Sequence, residues 1–220
     1  MKANYVQRIR LKFGKKGPAR FISHLDLARA LERALNRSGL PVAYTQGYNP
    51  RPRLQFASAL PLGFTSDCEL ADVWLEEEVD PPRAQDQLGP TMPPGLPLYD
   101  VREAPLSAPA MQAALAEAVY EVDVGDLIDP PQLRRRVAQL MAADNVVRER
   151  RGKEYDLRPL ILDLSVEDGP QSASHLTMRL SQLPGKTGRP DELLLALNLD
   201  PLDVRVRRTA LILQEEEEPA

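Results

Sequence analysis

The side chains with the most chemical capacity lie close together in the chain. The segment Tyr44-Thr45-Gln46-Gly47-Tyr48-Asn49-Pro50-Arg51-Pro52-Arg53 carries aromatic, amide and guanidinium groups within ten residues. Tyrosine rings stack on bases, arginine stacks or grips phosphate, and glutamine and asparagine meet base edges. Pro50 and Pro52 force the residues before them toward extended conformations, so the loop is stiff and loses little entropy on binding. The alternative is a structural crossover whose tyrosines cover a helix. Upstream, Lys15, Lys16 and Arg20 precede His24. An imidazole titrates near neutrality and serves as a general acid or base or as a phosphate contact. At the start of a helix it would sit in an anion-favouring position. It could equally be a first-turn histidine bonded locally. The functional reading gathers Lys15, Lys16, Arg20, His24, Tyr44, Gln46, Tyr48, Asn49, Arg51 and Arg53 into one anion-binding surface, with His24 on the same side as Tyr48 and Arg51.

Other chemistries fail on spacing. Gly185-Lys186-Thr187 resembles the end of a phosphate loop, but the glycine required five residues earlier is Leu180. Two histidines, His24 and His175, are too few for a His-rich metal site. The single cysteine, Cys68, rules out an intrachain disulfide framework and any multi-cysteine cluster. It lies between Asp67 and Glu69, whose charge opposes thiolate formation, so it is expected to be structural. No cofactor and no metal are expected. Asn36-Arg37-Ser38 is formally a glycosylation sequon, discounted because it sits at a helix end.

The elements that must position these groups follow from periodicity. Val6, Ile9, Leu11 and Phe13 alternate with Arg8, Arg10 and Lys12, a strand over 5–13. Ser23 and Asp26 form a capping box, Leu27, Leu31, Ala34 and Leu35 follow at helical spacing, and Gly39 and Pro41 end a helix over 24–38. Strands are expected at 54–60, 70–75 and 96–103, with a short helix at 82–89. Residues 105–117 read as a linker. The order then repeats: strand 118–124, a helix from Asp129 carrying Leu133, Val137 and Leu140, strands 157–167 and 175–183, helix 190–198 and strand 204–213. The expected fold is therefore α+β, with two tandem ferredoxin-like βαββαβ units at 1–104 and 118–213. The tail 214–220 is expected to be disordered by charge repulsion.

Length and charge agree with this organisation. The 220 residues suffice for two domains of roughly 100 residues. No run approaches the ~20 apolar residues of a spanning helix, and the start has no apolar signal core, so a cytoplasmic protein is expected. The 21 prolines, about twice the ordinary share, imply stiff connections. Net charge is −4, yet residues 1–53 hold twelve Lys/Arg against Asp26 and Glu32. A +10 segment steers polyanions even on an acidic protein.

Three further segments carry a resemblance. Arg20-Phe21-Ile22-Ser23-His24-Leu25-Asp26-Leu27, then residues 39–52 from Gly39 to Pro52, then Phe56-Ala57-Ser58-Ala59-Leu60-Pro61-Leu62-Gly63, together resemble the bacterial radical SAM-linked protein family. That domain, of unknown function, is encoded beside a radical SAM protein or fused to its C-terminus. Thr45 and Tyr48 stand where Ser and Phe are commoner. Asp156-Leu157-Arg158-Pro159 matches a further short motif and adds Arg158 to the ligand-binding candidates. The resemblance implies a radical SAM partner encoded nearby and a bacterial cytoplasm. With no cysteine triad, the chain is expected to be the linked domain standing alone, without radical SAM chemistry of its own. The expected function is a non-catalytic module presenting RNA, tRNA or ribosomal RNA, to that enzyme. The competing readings are a metal-independent RNA endonuclease using His24 with Arg20, and a pure protein–protein adaptor.

Overall fold

The computed structural model describes residues 5–150, 152–168 and 174–214. The chain divides into two compact units, Met1–Ala114 and Leu115–Ala220. The division falls inside the segment expected to be a linker, because residues 105–109 are fastened to the first unit by Arg8, as set out below.

The first unit runs β1 (Gln7–Lys15), a 3-10 turn (Gly17–Phe21), α1 (His24–Ser38), β2 (Leu54–Phe56), β3 (Thr65–Leu75), α2 (Pro81–Leu88), β4 (Leu98–Ala104) and α3 (Met111–Ala114). Its sheet order is β4-β1-β3-β2, every neighbour antiparallel. This is the ferredoxin-like order, fourth strand, first, third, second. Ser23 caps α1 by accepting from the Asp26 amide at 3.1 Å, and Gly39 ends it at φ 73°. Leu27, Leu31, Ala34 and Leu35 pack the helix onto Ile9, Leu11, Phe13, Val73 and Phe56. Full burial of each leucine contributes roughly 1.5–3 kcal/mol. β3 starts five residues earlier than the apolar pattern suggests, because pairing with β1 carries the ladder through the polar stretch Thr65–Glu69.

Strand alternation sends the remaining β1 side chains to the other sheet face. There Arg8 stands opposite Trp74 and Arg10 opposite Asp72. Both guanidiniums are buried against Asp72, which is 0% exposed. Two of the twelve cations counted in residues 1–53 are thus spent inside the unit. Lys15 is a third. A bulge between Phe13 and Lys15 turns it inward, where its Nζ donates to the carbonyls of Arg20 (3.3 Å) and Ile22 (3.1 Å) and holds the 3-10 turn. Gly14, within the bulge, leaves room for the Tyr99 ring, since a Cβ there would lie 2.5 Å from the Tyr99 hydroxyl.

The second unit runs β5 (Leu115–Gly125), α4 (Pro130–Ala142), β6 (Val147–Arg150), β7 (Lys153–Asp156), β8 (Ile161–Asp168), β9 (Ser174–Leu183), β10 (Lys186–Thr187), α5 (Pro190–Ala196) and β11 (Arg205–Leu213). Its main sheet is β11-β5-β9-β8, the same ferredoxin-like order, with β10 also on β9. The protein is α+β with two ferredoxin-like units. The β6–β7 hairpin is an addition that the sequence pattern did not suggest. Gly185, at φ 73°, turns β9 into β10, which is the role of the Gly-Lys-Thr segment. Residues 169–173, between β8 and β9, and residues 215–220 of the tail lie outside the described residues. Cys68 is buried, in keeping with a structural thiol.

Candidate functional site

The loop at 44–53 has a hairpin-like base. Tyr44 bridges Pro52, the Thr45 amide donates to the Arg51 carbonyl at 2.8 Å, and the Arg53 amide donates to the Ala43 carbonyl at 2.7 Å. The tip, residues 46–50, is exposed throughout, with Tyr48 and Asn49 on it. On its outer side the loop lies along the C-terminal half of α1. The Tyr44 hydroxyl donates to Asn36 Oδ1 at 2.7 Å, and the Arg51 guanidinium is 3.9 Å from Glu32. Glu32 and Asn36 are one turn apart, so two contacts fix the loop against one stripe of the helix.

The inner side of the loop forms the rim of a cleft of about 670 Å³ on the sheet face opposite α1. Trp74 and Tyr5 form an aromatic wall, their ring centroids 6.3 Å apart and nearly edge to face. The Arg53 guanidinium lies over both rings, 4.5 Å from the Tyr5 centroid and 5.1 Å from that of Trp74. Among the described residues no carboxylate or hydrogen-bond acceptor engages it. Thr45, Gln46 and Gln55 supply polar groups, and Leu106, Ala108 and Ala110 an apolar side. Gln55 Oε1 accepts from the Met111 amide at 3.4 Å, and its amide protons have no partner among the described residues.

Arg8 closes the floor. Its Nε reaches Asp72 Oδ2 at 2.7 Å and its Nη2 bonds the same oxygen. Nη1 donates to the Ala108 carbonyl at 2.7 Å and Nη2 to that of Pro109 at 3.1 Å. Arg10 binds the same carboxylate, Nε to Oδ1 at 2.8 Å. One carboxylate therefore answers two guanidiniums, and the cluster beneath the cleft keeps net positive charge. Arg8 also lies over Trp74, 5.1 Å from its centroid.

The structure divides the surface that the sequence suggested. Gln46 and Arg53 meet in the cleft, whereas Tyr44 and Arg51 face α1. His24 is exposed at the first turn of α1, its ring centroid 5.1 Å from that of Phe56. Phe56 belongs to the helix-side core, while Gln55, its neighbour in β2, lines the cleft. His24 and the cleft therefore occupy opposite sheet faces. Along α1, His24 is also roughly 12 Å from Glu32 at ~1.5 Å per residue. Arg20 stacks on Phe21, 4.6 Å from its centroid. Lys16 pairs with Asp67 at 3.0 Å; its ammonium pKa is raised, first by a hydrogen bond with Tyr99 and then by Asp67. Lys15 is buried and held by carbonyls, so it is not on any ligand surface. Arg158 lies in the second unit, where Nε and Nη2 donate to the Met141 carbonyl (3.2 and 3.0 Å) and Nη1 to that of Ile161 (3.3 Å). It binds the C-terminal end of α4, where free carbonyls favour a cation. Sequence reasoning missed Tyr5, Arg8, Gln55 and Trp74. The signal was present in strand alternation, which puts Arg8 and Trp74 on the face opposite the apolar positions.

Among the described residues no group of His, Cys, Asp and Glu side chains could hold a metal ion, and no helix is long and apolar enough to cross a membrane. Of the solved structures, the archaeal box H/ACA sRNP Nop10-Cbf5 complex is similar over 97% of this chain, with TM-score 0.45 and 11% identity. The chain spans 51% of that structure's length. A protein assigned as a glycine cleavage system transcriptional repressor is similar over 96% of this chain and 98% of its own, with TM-score 0.24 and 12% identity. No curated protein matches the chain. A family model covering residues 8–190 does match, and the chain belongs to that family, DUF2344, described as an uncharacterized protein conserved in bacteria.

Proposed function

We propose that the chain is a non-catalytic RNA-binding module of the bacterial cytoplasm that presents a tRNA or ribosomal RNA to a radical SAM enzyme. The observation that carries the RNA half is Arg53. A guanidinium lying over two aromatic rings, without an acidic partner among the described residues, at the rim of a cleft beside polar amides is an arrangement that takes phosphate and bases together. Arg51 on the outer side of the same loop extends the basic surface, its 3.9 Å contact with Glu32 being long enough to yield to a phosphate. His24 packs on the opposite sheet face, which is why we place no cleavage step on it.

The enzyme half rests on the resemblance of residues 20–63 to the radical SAM-linked family. One cysteine cannot hold a three-cysteine cluster, so radical chemistry would come from another chain or domain. Phe21, Leu25 and Leu62 are exposed around the start of α1, and the Gly63 amide, bonded to the Arg20 carbonyl at 2.8 Å, brings the Leu62 turn beside Phe21. This patch offers a protein partner an apolar surface separate from the cleft.

Crosslinking in cells followed by identification of bound RNA and protein tests both halves. Recovery of RNA that falls sharply with Arg53→Ala, together with a radical SAM protein, is expected. Recovery of protein that withstands nuclease, with no RNA, would replace this reading with the adaptor. RNA cleavage without added metal that is lost in His24→Ala would replace it with the nuclease.

A further inference from the structure

Arg53 lies over Tyr5 and Trp74 by ring contacts alone, since no described residue accepts a hydrogen bond from its guanidinium or pairs with its charge. We infer that Arg53 is a placeholder: an unpaired base takes its position against Tyr5 and Trp74, and the guanidinium swings out to that nucleotide's phosphate. The inference rests on the RNA-binding reading of this cleft and states how the cleft works. A guanidinium and a nucleobase are both planar and both stack on aromatic rings, so the same surface serves either. The exchange gives up two ring contacts to the cation. It gains a base on the same rings and a charge-assisted, bidentate pair with phosphate. Gln46 and the free amide protons of Gln55 lie in the same cleft and would face the base edge.

The cleft's dimensions set the substrate class. Its volume of about 670 Å³ falls within the ~300–1,000 Å³ typical of small-ligand sites and suits one nucleotide. Arg8 fixes the strap at residues 108–109 across one side, so the cleft is walled there. In an A-form duplex the base faces are covered by their neighbours, so Trp74 could not stack on a paired base. The occupant is therefore one unpaired nucleotide, supplied by a single-stranded stretch of RNA or as a free nucleotide.

Trp74 is the only tryptophan in the chain, so fluorescence excited beyond the tyrosine absorption band reports on this wall alone. The full chain is titrated with an unstructured RNA octamer, with the same octamer annealed to its complement, and with a nucleoside monophosphate. Quenching of Trp74 by the octamer but not by the duplex is expected. Arg53→Ala should weaken octamer binding about tenfold and lower the salt slope by about 0.7, while the quench at saturation persists; Arg53→Lys should restore the slope. Persistence of the quench also shows that the variant is folded. Quenching by the monophosphate as strong as by the octamer keeps the placeholder but assigns the slot to free nucleotides. RNA binding with no change in Trp74, equal quenching by duplex, or loss of the quench in Arg53→Ala overturns the placeholder and leaves RNA binding standing. No binding of any RNA removes both.

Discussion

Asp72 accepts from two arginines, and that ratio decides what each substitution does. Removing the carboxylate leaves two guanidiniums buried without a counter-charge, the situation in which breaking a buried pair costs most. Asp72→Asn should therefore lower unfolding free energy by about 3–5 kcal/mol, read from chemical denaturation. Arg10→Met should cost far less, because it leaves a one-to-one Arg8–Asp72 pair and puts an apolar chain in a buried position. Equal losses for the two variants would show that the pairs are not the stabilising contacts. The same residues explain what the sequence hid. Counting cations gives +10 for residues 1–53, but a count carries no face. Arg8 and Arg10 alternate with core residues, and only the register with β3 shows that the other face holds Asp72. Lys15 is displaced inward by a bulge, a local event with no signature beyond Gly14. Arg53 stood out in the sequence by its type and its place in the loop; that it lies over Tyr5 and Trp74 depends on a partner 48 positions earlier and another 21 later.

Elements with local signals were the most legible. Helix α1 begins and ends where its capping box and Gly39 place it, since caps act within a turn. Strand ends were not, because they are set by partners: β2 stops at Phe56 although the apolar run continues to Leu60. The β6–β7 hairpin shows no alternation in Val147–Arg150 or Lys153–Asp156, so nothing local marks it. It carries Tyr155, whose hydroxyl is buried without a hydrogen-bond partner among the described residues. Burial, and then the nearby Glu192 charge, push this phenol above its ordinary value of 10.0. A raised value means that the folded state favours the neutral form. The associated stability is fully present below about pH 10 and is lost as pH rises through the folded value. Wild-type melting temperature should therefore fall as pH rises above about 10, and Tyr155→Phe should flatten that fall while leaving stability near neutrality unchanged or slightly higher. An alkaline profile identical in the variant would acquit Tyr155. At the other end of the chain, Leu25→Asp with Leu62→Asp should reduce recovery of the proposed protein partner and leave RNA affinity intact. A parallel loss of both would merge two surfaces that are here kept separate.

At the scale of the whole molecule, both ferredoxin-like units were readable because each repeats strand, helix and strand order within about 100 residues. What composition conceals is the distribution of charge. Residues 1–114 carry net +2 and residues 115–220 carry −6, so the overall −4 belongs to the second unit. A polyanion approaching from beyond the Debye length of ~10 Å at 0.1 M salt meets a weakly repulsive protein. Only at contact does it meet Arg53, which has no acidic partner among the described residues, and Arg51 with its 3.9 Å contact to Glu32. RNA affinity should therefore fall with salt through a few phosphates, not through the ten that the +10 segment suggests. For a single strand the slope of log affinity against log salt is about −0.7 per phosphate neutralised. The double variant Arg51→Ala/Arg53→Ala should make that slope shallower by about 1–2 units. Arg158→Ala is the matched control: its guanidinium holds the carbonyls of Met141 and Ile161, so it should lower stability by about 1–3 kcal/mol and leave the slope unchanged. A slope that moves with Arg158 and not with Arg51 and Arg53 would transfer the RNA contact to the second unit.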